Sequence, residues 1–346
     1  MIITRIQTCQ PIAANSPPDW RTSLGQIAVR IETDDGRYGY GVGGGGAAGR
    51  HVIDHVLAPL LTRRSSESVE ELWEEMYSAT LPFGRKGIAV MALSGVDLAL
   101  WDLRAKRAGQ PVAALFGGFG NKSLPTYTTV WDRVDAETAA GTGPAGASPV
   151  KLHVRVTDPL HAVDEIVERV GAARRAIGPE RELMVDAWMK WDVELTLRVA
   201  ERIAPLGIGW IEEPLSPDDL RGYEQLAGRC PIPIAGGEHE FTAAAFEELI
   251  ERRLHAVLQP DVCWVGGLTE LVKIYDIART ASVRVVPHRG AEIWALHAIA
   301  ALDPLPLAES GRPWMPWVEG QPSIHDGRIS VSAMPGFGVQ LNGDWQ

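Results

Sequence analysis

From about residue 124 onward the chain alternates short apolar runs with helical stretches such as DPLHAVDEIVERVGAARRAIG and DVELTLRVAERIAPL, and this alternation restricts its fold more than any other feature. A strand followed by a helix and then by another strand has to cross back over the sheet, so the strands run parallel. A run of roughly 200 residues in this pattern suits a closed (β/α) barrel better than an open doubly wound sheet. Eight strands are expected, at about 124–130, 149–153, 182–186, 208–212, 232–237, 255–260, 283–287 and 306–308. The barrel is placed over 124–325, and HDGRISVSAMPGFGVQLN after it reads as a short returning β segment with turns.

Residues 1–123 have a different texture and read as an α+β domain, to which residues 326–346 are expected to return. GQIAVRIETDDGRYGYG predicts two strands joined at the Asp35-Gly36 turn. Helices are expected around 50–62, 67–79 and 87–109; in the last, Val96, Leu100 and Leu103 recur at helical spacing, and Gly109 with Pro111 supplies the stop. GVGGGG at 41–46 lacks the Lys-Ser/Thr that follows a phosphate-cradling loop and is expected to be an ordinary mobile loop.

With 33 Lys plus Arg against 44 Asp plus Glu, the chain carries a formal charge of −11 and no basic run that would track a phosphate backbone. Nucleic acid and acidic membrane surfaces are therefore poor partners, whereas a small anionic substrate remains compatible, because a local cation outweighs distant charge. The opening residues show no apolar core of signal-peptide length, and no stretch approaches the roughly 20 apolar residues of a membrane span, so a cytoplasmic location is expected. Cys9, Cys230 and Cys263 are scattered, which argues for buried thiols rather than disulfides or a thiolate metal site.

Barrel enzymes place their chemistry at the C-terminal ends of the strands. Here LMVDAW brings Asp186, WIEEP Glu212, GGEHE Glu238, QPD Asp261, VVPH His288 and LAES Glu309 to such ends. Asp186, Glu212 and Glu238 are spaced 26 residues apart on adjacent strands, and three converging carboxylates repel one another unless a cation lies between them; hard oxygen donors suit Mg²⁺. Glu213 points to the opposite face from Glu212 and is assigned a supporting role. Asp261 and His288 end successive strands and read as a dyad in which the carboxylate fixes the imidazole tautomer and makes His288 a general base. Lys151 and His153 share one face of the second strand, pointing inward. Together with Arg85 of the LPFGRKG loop, Trp188 and His239, they are candidate substrate contacts. His51 and His55, four apart on a helix, read as a solvated face.

Taken together, GVDLALWDLRAKRAGQPVAALFGG, WIEEP, QPDVCWVGGLTE and PGFGVQLN resemble the enolase superfamily in its mandelate racemase branch, nearly end to end. Within it, LPFGRKG, DAWMKWDVE, GGEHE and VVPH are most similar to the L-rhamnonate dehydratases. The resemblance implies a modified (β/α)7β TIM-like barrel with an α+β N-terminal capping domain, and a homo-oligomer. It implies Mg²⁺ on Asp186, Glu212 and Glu238, the dyad of Asp261 and His288, and Glu309 as a protonated donor to the substrate carboxylate. The implied reaction removes the C2 proton of an aldonic acid and expels the C3 hydroxyl, giving a 2-keto-3-deoxy acid. Departures bear on specificity: His153 stands where racemases of this branch carry a second lysine, and AANSPPDW and RGAEIW differ from the rhamnonate enzymes. A racemase or epimerase using the same enolate is the alternative, with Lys151 as second base; a catalytically silent scaffold is a further one.

Overall fold

A computed structural model of the chain describes residues 1–11, 25–118, 123–156, 159–311, 317–343 and 345; the AANSPPDW stretch lies outside them. The N-terminal part holds an antiparallel sheet of β1 (Ile3–Cys9), β2 (Ile27–Thr33) and β3 (Tyr38–Gly43), with β2 in the centre. The expected turn between β2 and β3 is present, with Gly36 at φ 77° supplying the left-handed step. Three helical stretches follow, Gly46–Leu61, which contains a π-helical turn at Ile53–Leu57, then Val69–Gly84 and Ile88–Ala108. His51 and His55 lie on the exposed side of the first with their rings stacked 4.1 Å apart.

The GVGGGG segment is not the mobile loop expected of it. In YGYGVG, residues 39, 41 and 43 fall on one face of β3, and that face lies against the helix Ile88–Ala108. A Cβ at Gly39 would sit 2.1 Å from the Ala99 carbonyl oxygen, at Gly41 2.1 Å from that of Gly95, and at Gly43 2.5 Å from that of Met91. The glycines therefore set how closely strand and helix approach. The helix is buried on nearly every side, because its other faces meet the second helix and the barrel. Asp97 accepts hydrogen bonds from the backbone N–H and hydroxyl of Thr269 (3.0 and 2.5 Å), at the start of the barrel helix Gly267–Ala281. Trp101 donates to Thr269 Oγ1 (2.9 Å), and Trp73 to the Gly266 carbonyl (2.7 Å). The two parts are thus joined at one helix N-terminus, where orphan N–H groups need acceptors.

The eight barrel strands are β4 (Ser123–Trp131), β5 (Val150–His153), β6 (Leu183–Asp186), β7 (Ile208–Glu212), β8 (Ile234–Gly236), β9 (Val257–Leu258), β10 (Arg284–Val285) and β11 (Ala308–Glu309). They pair in parallel in the order β11-β4-β5-β6-β7-β8-β9-β10; among the described residues no ladder joins β10 to β11. Alternation layers the interior. Tyr127, Met184, Trp210, Ala235, Val257, Val286 and Leu307 form an apolar floor. Two residues further along the same strands come Thr129, Asp186, Glu212, Gln259, His288 and Glu309, so the floor gives way at once to a polar layer.

After β11 the hairpin Ile324–His325/Arg328–Ser330 pairs antiparallel with the start of β4, and Gln340–Leu341 pairs with Val318–Glu319. Phe337 donates its N–H to Asp102 of the long helix (2.8 Å) and packs on Trp294 and His297. The closing residues therefore touch both parts of the molecule. No helix among the described residues is long and apolar enough to cross a membrane.

Candidate active site

The chain turns sharply where the strands deliver their polar residues. Trp188 (φ 44°) and Met189 (φ 60°) follow Asp186, Glu213 (φ 37°) follows Glu212, and Arg289 (φ 52°) follows His288. Left-handed backbone at side-chain-bearing residues is costly and survives where surrounding structure enforces it, as at functional sites.

Asp186, Glu212 and Glu238 are all buried in the polar layer. Glu212 Oε1 lies 2.6 Å from the Lys151 ammonium, while its Oε2 accepts from Gln259 Nε2 (2.7 Å) and Trp210 Nε1 (3.2 Å). Lys151 also reaches Glu309 (2.7 Å) and Asp186 (3.4 Å). Burial pushes Asp186 and Glu212 up to about 7, against the lowering pull of Lys151, and raises Glu238 as well. Burial alone would lower Lys151, but the surrounding carboxylates carry it well above the ordinary lysine range. One internal cation thus serves three carboxylates.

Glu309 differs from the expectation of a protonated donor. It accepts from Lys151, from Thr129 Oγ1 (2.6 Å) and from the Arg289 N–H (2.9 Å). Burial raises it, but Lys151, His288 and these hydrogen bonds more than compensate and hold it at about 2. The two cationic neighbours, Lys151 and His288, together with these donors favour the ionised form.

On the opposite wall, His288 Nδ1 is 2.9 Å from Asp261 Oδ2 and Nε2 is 3.1 Å from Glu238 Oε2. Burial lowers the imidazole, yet Glu238, Asp261 and Glu309 outweigh both burial and Arg289, and the net shift is upward. Buried Arg289 also binds Asp261 and lies over the Trp264 ring, 4.7 Å from its centroid. Trp264 stands between the rings of His288 and His239, 5.9 Å from each.

The structure brings Asp186, Glu212, Glu238, Asp261, His288, Glu309 and Lys151 together, and treats the other candidates unequally. His239 turns Nδ1 to Glu213 (2.7 Å), which with burial offset holds the ring up at about 9; its first partner is this carboxylate and not an open pocket. Arg85 is exposed at the end of its helix, which runs through Pro82 to Gly84 and leaves a shorter loop than expected. Lys86 is the residue that meets the barrel, through Glu240 at 3.3 Å. His153 and Trp188 line the mouth on the β5–β6 side, their rings 6.0 Å apart. Gln259, Arg289, Trp264 and Glu240 went unrecognised in the sequence. For Gln259 the signal was present, since it shares the inward face of its strand with Asp261.

The donor set passes the test for a hard dication: three buried carboxylates whose charged forms burial disfavours need a cation to ionise at neutral pH. Glu213, Glu238 and His239 bring three ligand atoms within 4.8 Å of one another, a grouping the predicted triad does not match. The nitrogen of that grouping is engaged by Glu213, and Lys151 and His288 draw the triad's carboxylates toward themselves.

Residues 135–345 match a family model described as enolase C-terminal domain-like, and residues 21–117 one described as mandelate racemase/muconate lactonizing enzyme, N-terminal domain. The L-rhamnonate dehydratase of Saccharopolyspora erythraea is 36% identical, over 94% of this chain and 87% of its own. The crystal structure of rhamnonate dehydratase from Gibberella zeae complexed with Mg superposes with a TM-score of 0.89 at 28% identity, covering 99% of this chain and 94% of its own. The 3,6-anhydro-D-galactonate cycloisomerase of Zobellia galactanivorans reaches 0.87 at 30% identity, over 99% and 97%.

Proposed function

The chain belongs to the mandelate racemase/muconate lactonizing enzyme family, and on that premise we propose that it is a Mg²⁺-dependent hydro-lyase that dehydrates an acid sugar of the L-rhamnonate type. The observation that carries this reading is the asymmetry of the site. His288, oriented by Asp261, is placed as an exchangeable base, whereas Lys151 across the barrel is bound by Glu212, Glu309 and Asp186. Return of a proton to the other face of C2 needs a protonated donor there that gives up its proton; Lys151, held well above the ordinary lysine range by three carboxylates, is a poor one, and elimination needs no such group.

Asp186, Glu212 and Glu238 would hold Mg²⁺, which would supply an anchor for the substrate carboxylate and offset the charge that grows there as the C2 proton leaves. His288 Nε2 exchanges its Glu238 contact for the substrate and removes the C2 proton, while Asp261 keeps the proton on Nδ1. Lys151 stands beside the same carboxylates and adds a fixed positive charge. The imidazolium then gives its proton to the departing C3 hydroxyl, so that water leaves and the enol becomes a 2-keto-3-deoxy acid. The relatives support this reading through their names and the Mg²⁺ of one of them, and the cycloisomerase marks how widely reactions vary on this fold.

Incubation with Mg²⁺ and aldonic acids of four to six carbons, read by carbonyl derivatisation and proton NMR, tests it. A keto acid from L-rhamnonate or a stereochemical neighbour is the expected result. Inversion at C2 without a keto acid would replace the dehydratase by an epimerase.

A further inference from the structure

The two oxygens of Glu212 have different surroundings, and the difference bears on which cation the site can accept. Oε1 meets the Lys151 ammonium at 2.6 Å and has no other hydrogen-bond partner among the described residues. Oε2 accepts from Gln259 Nε2 at 2.7 Å and from Trp210 Nε1 at 3.2 Å. An ionised carboxylate offers about two acceptor directions on each oxygen. Both directions of Oε2 are thus taken by protein donors, while Oε1 keeps one.

Gln259 reaches Glu212 across an intervening strand. The two residues belong to β9 and β7, and β8 between them ends at Gly236 and is followed by Gly237, neither of which has a side chain to stand in the way. The Gln259 N–H donates to the Gly236 carbonyl (2.8 Å), which ties the base of the side chain to that strand. Gln259 is 1% exposed, and only its amide nitrogen can donate to a carboxylate, so Glu212 dictates how the amide is turned. The other end of the amide, Oε1, is buried with no hydrogen-bond partner. An unpaired buried acceptor is costly, so the glutamine is placed for the bond it gives to Glu212 and not for a network of its own.

We propose that Gln259, supported by Trp210, is a positioning residue that keeps Glu212 a one-oxygen ligand and so favours Mg²⁺ over Ca²⁺. This rests on the assignment of the metal to Asp186, Glu212 and Glu238 above. Mg²⁺ demands near-octahedral coordination, whereas Ca²⁺ takes roughly six to eight oxygens in flexible geometry and readily binds a carboxylate through both of its oxygens. Donors held on Oε2 deny the larger ion that second oxygen and take nothing from the smaller one.

Calorimetric titration of the full-length protein with Mg²⁺ alone and with Ca²⁺ alone, in the absence of substrate, tests this in the wild type, Gln259→Met and Trp210→Phe. Methionine keeps the length of the side chain and removes the donor. Melting curves in chelator show whether each variant is folded, and Trp210→Phe carries the test if Gln259→Met is not. The ratio of the Ca²⁺ to the Mg²⁺ dissociation constant should fall at least about fivefold in Gln259→Met, chiefly through tighter Ca²⁺ binding, and less far in the same direction in Trp210→Phe. A glutamine with a merely structural role would weaken both ions together. An equal loss for the two ions, or a ratio that does not move, would therefore overturn the inference and leave the metal assignment standing. Absence of Mg²⁺ binding by the wild type would overturn the metal assignment and the inference with it.

Discussion

One oxygen of Asp261 serves two donors: His288 Nδ1 lies 2.9 Å from Oδ2, and the guanidinium of Arg289 binds the same atom. The carboxylate therefore fixes the ring orientation while its charge is shared, which tempers the basicity it lends to Nε2. His288→Asn should lower turnover by at least about 10³-fold and end exchange of the C2 proton with deuterated solvent. Asp261→Asn should cost about 10²-fold and also lower stability, because buried Arg289 loses the strongest of its counter-charges and keeps only more weakly coupled ones such as Glu292. Proton NMR in deuterated buffer reads both; wild-type exchange in His288→Asn would assign the base elsewhere.

Lys151 gives a second prediction. Its ammonium neutralises Glu212, Glu309 and Asp186, so Lys151→Met leaves buried carboxylates facing one another. In chelator the variant should lose about 3–5 kcal/mol, the usual cost of breaking a buried ion pair. Mg²⁺ should restore part of that loss, so the rise in melting temperature on adding Mg²⁺ should be larger in the variant than in the wild type. Equal rises would mean that Lys151 and the cation do not share their carboxylates.

Glu212→Gln tests the metal assignment. From the sequence, removal of one charge from a repelling triad would be expected to leave metal-free protein as stable or more so. The structure alters this, because Glu212 already has Lys151, Gln259 and Trp210 as partners. Metal-free stability should fall slightly, and Mg²⁺ affinity by calorimetric titration should drop at least tenfold. Undiminished affinity would move the metal toward the Glu213, Glu238 and His239 grouping.

These cases divide what the sequence revealed from what it hid. Period-two alternation and regular spacing made the barrel and its ring of strand-end acids and base legible, since both are properties of local geometry. Partnership was not legible. That Lys151 is the internal cation, that Glu309 is ionised, that His239 pairs with Glu213 and that Lys86 rather than Arg85 meets the barrel all depend on side chains brought together from 26 to 158 residues apart in the chain. The role of the β3 glycines was hidden for the same reason: a run of glycines reads as freedom until the helix pressed against it is seen.

Asp97 predicts a pH dependence of stability. Burial raises its carboxyl from 3.8 to about 7, against the hydrogen bonds from Thr269 and Leu268, so the folded state holds a proton that the unfolded state has released. This contribution is complete below about pH 4 and is lost as pH rises through 7, by up to about 4 kcal/mol on linkage. Asp97→Asn, which has no proton to lose, should flatten the curve. Urea midpoints at pH 4.5 and 7 would show it, and parallel curves for the two proteins would sink the assignment.

The glycine face of β3 supports a final prediction. At Gly41 a methyl group would stand 2.1 Å from the Gly95 carbonyl oxygen and 2.7 Å from the Ala99 nitrogen, both of them backbone atoms of a helix buried on nearly all sides. Neither can move without shifting the helix off the sheet or off its contact with Thr269. Gly41→Ala should therefore cost more than about 3 kcal/mol, beyond the usual range for an overpacked core. Gly36 is the internal control: it has φ 77°, and a methyl group there would meet no atom within 4 Å, so Gly36→Ala faces only backbone strain and should cost about 1 kcal/mol. Chemical denaturation of both variants compares steric exclusion with conformational strain in one sheet. A Gly41→Ala loss no larger than that of Gly36→Ala would show that strand and helix can separate at little expense, and that the close approach is incidental to the fold.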